Sequence, residues 1–79
     1  MSYDQAKIDE AVLGLLGVFA QTEHGEYWSW KTFDFEVTGR LFERGLIQDP
    51  RGAAKSIRFT PEGIEAARAA AERLFSGCR

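Results

Sequence analysis

Residues 41–63 constrain the fold more than any other part of the chain. They read L-F-E-R-G-L-I-Q-D-P-R-G-A-A-K-S-I-R-F-T-P-E-G and hold both prolines. Each breaker here has a positional meaning. Gly45 stops a helix, and Leu46 just beyond it supplies the hydrophobic contact of a Schellman-type stop. Asp49, Pro50 and Gly52 occupy positions i, i+1 and i+3 of a type I turn. Thr60-Pro61-Glu62 restarts helix, with Thr as N-cap, Pro in the first helical position and Glu on the dipole. Two short apolar runs lie between, at residues 46–48 and 56–59. The block therefore predicts an antiparallel hairpin over residues 46–59 with a basic tip from Asp49 to Lys55.

The remaining chain fits helices around that hairpin. A first helix is expected from Ser2 to about Ala20, with Ser2 and Gln5 spaced as a capping box. Ile8, Ala11, Val12, Leu15, Leu16 and Phe19 follow helical spacing on one face. Gly14 and Gly17 also lie in this helix, where each costs about 1 kcal/mol against Ala. They imply close approach of another backbone or, alternatively, a close helix–helix dimer contact. Gln21 to Glu26 is polar and reads as a loop. Tyr27-Trp28-Ser29-Trp30 alternates, which puts both Trp on one side of an extended segment. Thr32 is the expected cap of a second helix from Phe33 to Arg44, with Phe33, Val37 and Leu41 as its buried stripe. The last helix is expected over residues 61–75, with Ile64, Ala67, Ala71, Leu74 and Phe75 as its apolar face and Gly77 as its stop.

With 79 residues the chain is one domain. A domain this short buries only about 60% of the surface its unfolded chain exposes, so large side chains must carry the core. Six Phe, two Trp and two Tyr supply them. The net charge of −2 argues against a strongly basic nucleic-acid binder. Its distribution is uneven: the first thirty residues are clearly acidic, residues 31–58 mildly basic, and the rest balanced. Cys78 stands alone, which fits a reducing compartment. Residues 1–10 are too charged for a signal peptide. The apolar run from Ala11 to Ala20 is too short to span a bilayer. A cytoplasmic, non-membrane protein is expected.

Leu41 to Gly63 resembles the junction of recognition helix, wing and final helix in bacterial winged-helix regulators. The expected class is α+β and winged-helix-like. It has three main helices and a small antiparallel hairpin, with Trp28–Trp30 adding a third short strand or a buried extended segment. The chain departs from the regulator pattern between Gln21 and Thr32, where the helix that braces the recognition helix on DNA should stand. No second amphipathic period is visible there. A wider resemblance covers nearly the whole chain. Y-D-Q-A-K-I-D-E-A-V-L from Tyr3, W-K-T-F-D-F from Trp30, L-F-E-R-G-L-I-Q-D-P from Leu41, A-K-S from Ala54 and T-P-E-G from Thr60 are similar to a family of small bacterial proteins designated only a domain of unknown function. That resemblance implies a bacterial origin and a stand-alone domain, and no activity.

Two constellations point to partners. Arg40 and Arg44 on the middle helix, with Arg51 and Lys55 on the wing, could contact phosphates. Lys31 and Arg58 belong to the same basic stretch. The bland reading is a solvated face with ion pairs such as Glu36 with Arg40. Phe35 and Phe42, flanking Gly39, fall on a second apolar face of the middle helix and suggest a partner or homodimer interface. Trp28, Trp30 and Phe33 read as core under the sheet. His24 sits in a polar loop with Glu23 and Glu26, which is too little to hold a metal. No nucleophile–base pair or phosphate-cradling loop is visible. The chain is expected to be no enzyme, to need no cofactor, and to bind DNA or protein.

Overall fold

The structure is a computed structural model and describes residues 3–51 and 55–76. The first helix, α1 (Gln5–Val18), starts later than expected because Asp4 caps it. The Asp4 carboxylate accepts the backbone N–H groups of Ala6 at 3.0 Å and Lys7 at 3.4 Å, satisfying donors that a helix start leaves orphaned. Ser2, the expected cap, lies outside the described residues.

The stretch expected as a loop is a hairpin. Strands β1 (Gln21–Glu23) and β2 (Glu26–Trp30) pair antiparallel, with Glu23 opposite Glu26. That register leaves a two-residue turn, His24-Gly25, whose φ angles of +54° and +80° are those of a type I′ turn. Such turns match the twist of the strands they join.

Helix α2 (Phe35–Glu43) is shorter than the expected Phe33–Arg44, and its N-cap is Asp34 rather than Thr32. The Thr32 hydroxyl donates instead to the carbonyl of Trp30 at 3.4 Å. The C-terminal end is as the sequence implies. Gly45 adopts φ +78°, its N–H donates to the Phe42 carbonyl at 2.9 Å, and the Leu46 N–H donates to the Leu41 carbonyl at 3.0 Å. These are the paired bonds of a Schellman stop. Thr38 is buried on the core face of α2, and its hydroxyl is satisfied by the Phe35 carbonyl at 3.3 Å.

Strand β3 (Ser56–Arg58) pairs antiparallel with β2, in the register Trp28–Arg58, Ser29–Ile57 and Trp30–Ser56. The sheet order is β1-β2-β3, so the Trp-rich segment is the central strand. The expected partner at residues 46–48 is reduced to one bridge, Ile47–Phe59, with the Gln48 N–H donating to the Arg58 carbonyl at 2.8 Å. Residues 52–54 of the wing tip lie outside the described residues.

Helix α3 (Pro61–Phe75) begins at the expected Thr60 cap. The Thr60 hydroxyl accepts the Gly63 N–H at 2.9 Å and donates to the Gly45 carbonyl at 2.7 Å. One side chain thus ties the end of α2 to the start of α3. Gly63 is required there: a Cβ at that position would sit 1.6 Å from the Leu46 carbonyl oxygen. The expected stop at Gly77 lies outside the described residues.

Leu13, Leu16, Leu41, Ile47, Ile57 and Ala67 are among the buried core residues between the helices and one face of the sheet. Helices α1 and α3 touch backbone to backbone, since a Cβ on Gly17 would meet the Ala67 carbonyl oxygen at 2.9 Å. Close approach within the chain therefore accounts for the glycines of α1. This contact rotates the apolar faces from those expected. Leu13 is buried, Leu15 only partly, and Phe19 is exposed; Ala70 is buried on α3, while Leu74 and Phe75 are exposed. No helix among the described residues is long and apolar enough to cross a membrane.

Candidate interaction surface

The sheet turns one face to the core and one outward. On β2 the alternation puts Ser29 inside, opposite buried Ile57. Trp28 and Trp30 therefore share the outer face, with ring centroids 5.0 Å apart and planes at 86°. That edge-to-face geometry suits the ring quadrupoles. The expectation that both indoles are core is corrected: Trp30 is 55% exposed and Trp28 partly so.

A cleft of about 320 Å³ opens where the end of α1 meets the end of β2. Leu15, Leu16, Phe19, Trp30 and Phe33 supply its apolar wall, and Gln21, Ser29 and Thr32 its polar groups. No charged residue lines it. Phe19 is 67% exposed at its rim, one residue beyond the end of α1 at Val18. Phe35 and Phe42 remain on a second face of α2 as the sequence implies, 53% and 37% exposed.

The six cations of residues 31–58 are distributed differently from a phosphate-binding array. Arg40 reaches back to α1 and grips Asp9 with two bonds, Nε to Oδ2 and Nη2 to Oδ1, both 2.8 Å. Asp9 is buried, and its hydrogen bonds are the chief cause that raises the Arg40 pKa above its ordinary value. The expected Glu36–Arg40 helical pair gives way to this contact across the fold. Arg51 holds Asp49, Nη2 to Oδ2, at 2.7 Å, and its hydrogen bonds lower the Asp49 pKa to about 2. Arg58 pairs with Glu26 at 2.8 Å across β2 and β3. The Lys31 ammonium donates to the Pro50 carbonyl. The side chains of Arg44 and Lys55 make no hydrogen bond or ion pair among the described residues.

Two further sequence features resolve simply. Asp9 and Glu10 face different elements, Asp9 pairing with Arg40 of α2 and Glu10 with Arg73 of α3. His24 is a turn residue, and among the described residues no group of three or more His, Cys, Asp or Glu could hold a metal ion. Cys78 lies outside them.

Among the described residues, three helices with a three-stranded antiparallel sheet make a small α+β arrangement, consistent with a winged-helix-like topology. The sequence matches, over residues 4–77, the family described as a domain of unknown function, DUF6429, and the chain belongs to that family. A relative is the protein y4hR of Sinorhizobium fredii, 46% identical over 76 residues that cover 96% of this chain and 99% of that protein. No solved structure matches the chain.

Proposed function

We propose that this domain is a non-enzymatic protein-interaction module on a winged-helix-like frame. One observation carries the reading: Phe19, Trp30 and Phe35 are each more than half exposed, two of them on the rim of an uncharged cleft. Interface cores favour aromatic side chains and exclude charge. Exposed apolar surface gathered at a cleft, as Phe19 and Trp30 are, marks binding sites on small proteins.

A second reading, contact with DNA through Arg40, Arg44, Arg51 and Lys55, draws support from Arg44 and Lys55. Arg40 and Arg51 already hold carboxylates of their own chain, which cancels much of their attraction for phosphate. Four phosphate contacts would give a slope of log affinity against log salt of roughly −3 to −4, and two contacts roughly −2.

The test combines two measurements. Fluorescence anisotropy on a labelled random duplex at low salt reads nucleic-acid binding. A benzophenone photocrosslinker at position 30, irradiated in cells producing the chain, reads protein contact. The interaction reading expects covalent protein adducts and no salt-dependent DNA binding. DNA binding that weakens in the Arg44→Ala, Lys55→Ala double variant, with no protein adduct, would overturn it in favour of DNA.

A further inference from the structure

Ser29 is buried where hydrophobicity would place an apolar residue. It faces Ile57 across β2 and β3 and is 3% exposed. Its hydroxyl bonds to no group of the chain among the described residues, yet it is not sealed from solvent. The opening beside it is the cleft, which it helps to line. A hydroxyl withdrawn from bulk water without a fixed partner destabilises a fold. A β-branched apolar residue would suit this strand position better. As structure the side chain is a poor choice, and as a recognition group a good one.

The cleft around it is graded in depth. Leu16 and Ser29 are buried at its floor, while Phe19, Trp30 and Thr32 are exposed at its mouth. Its volume of about 320 Å³ falls at the small end of sites for small molecules, about 300–1,000 Å³. Its make-up is theirs too: aromatic and aliphatic walls with a few placed polar groups. A macromolecular partner seats on the rim. The floor hydroxyl is reached only by a group that enters the recess.

Charge narrows the ligand further. No charged residue lines the cleft, and Lys31, next to Trp30 in sequence, donates to the Pro50 carbonyl. An ion in the cleft would lose its water against apolar walls and meet no countercharge. The occupant is therefore neutral. Phe19, Trp30 and Phe33 offer ring faces and edges that favour another ring.

We infer that this cleft binds a small, neutral, planar aromatic molecule carrying one hydrogen-bonding group, which the Ser29 hydroxyl engages at the floor. The inference goes beyond the protein-interaction reading and does not depend on it.

NMR titration of the isotope-labelled full chain tests the proposal with three probes of one shape: 2-naphthol, naphthalene and 2-naphthoate. The expected result is saturable shifts with 2-naphthol, centred on residues 15–21 and 29–33, weaker binding of naphthalene and the weakest binding of 2-naphthoate. Ser29→Ala should weaken 2-naphthol binding roughly three- to tenfold, the worth of one hydrogen bond, and leave naphthalene unchanged. Its thermal midpoint should be no lower than that of the unaltered chain, because the hydroxyl bonds nothing in the fold. Phe19→Ala, at the mouth, should weaken 2-naphthol and naphthalene alike. A 2-naphthol titration that does not saturate overturns the proposal, as do shifts centred on the Phe35–Phe42 face or 2-naphthoate binding as tight as that of 2-naphthol. Undiminished 2-naphthol affinity in Ser29→Ala, or a lowered midpoint, overturns it too. Failure here with protein adducts formed at position 30 removes the ligand and keeps the interaction reading; saturable binding without adducts does the reverse.

Discussion

Asp9 of α1 and Arg40 of α2 are joined by two parallel bonds of 2.8 Å across 31 residues of sequence. The pair fixes the angle between the two helices, since a bidentate bond specifies direction as well as distance. A buried carboxylate stripped of its partner is destabilising. Arg40→Met should therefore lower the thermal midpoint sharply. Replacing both partners, Asp9→Leu with Arg40→Met, should recover most of the loss. Thermal melts of the single and double variants check this, and a double variant no better than the single refutes it.

Gly63 and Gly39 should respond to alanine in opposite ways. At Gly63 a Cβ would overlap the Leu46 carbonyl, 1.6 Å away, so Gly63→Ala should abolish the corner and with it soluble folding. At Gly39 the nearest atom is the Phe35 ring, 3.7 Å from the added carbon, an ordinary contact. Gly39→Ala should then gain up to about 1 kcal/mol of helix propensity. Denaturant unfolding of both variants decides the matter.

Thr60 serves both ends of the same corner, so Thr60→Ala should cost about 1–2 kcal/mol, whereas Thr60→Ser should retain most of the stability. A Ser variant as unstable as the Ala variant would show that the hydroxyl is not what holds the corner.

Leu41 is fully buried and Leu16 nearly so. Leu→Ala at either should cost about 2–5 kcal/mol. Leu15, partly open to the cleft, should cost clearly less. Equal losses at positions 15 and 16 would mean the α1 face is turned differently.

Asp49 should titrate near 2, below its ordinary 3.8, because the Arg51 side chain and backbone N–H favour its charged form. The carboxylate pKa is depressed in the fold. Any stabilisation from the pair is therefore present above the ordinary value and lost as pH falls through about 2. Carboxyl-carbon NMR should show that midpoint, and Arg51→Ala should raise it toward 3.8. The pair is exposed, so the effect on global stability should be small.

The parts of this fold legible in the sequence are those decided locally. Gly45 with Leu46, and Thr60 with Pro61, act within one helical turn, and both signals read directly. The His24-Gly25 turn was less visible, because His is an uncommon first residue for a turn that usually begins with Asn or Asp. Period-two alternation put Trp28 and Trp30 on one side but could not say which side. Tyr27 and Ser29 offered a mixed alternative face, and burying Ser29 runs against hydrophobicity. Phe19 is in phase with the expected core face of α1, yet α1 ends at Val18 and leaves Phe19 exposed at the cleft rim. Asp9 with Arg40 depends on how α1 and α2 come together, which no local pattern encodes. The cleft was unreadable for the same reason, while the second apolar face of α2, Phe35 with Phe42, was already plain from helical spacing.

The Thr60 corner has a consequence for how this family can diversify. Thr60 to Gly45, Gln48 to Arg58, and Lys31 to Pro50 pin both ends of the segment that follows α2. Those bonds hold the ends of the segment in place. Lengthening a loop with fixed ends costs only about 0.6 kcal/mol per doubling. The tip between residues 50 and 55 is thus a natural grafting point, where new recognition sequence can be inserted while the scaffold beneath stays the same.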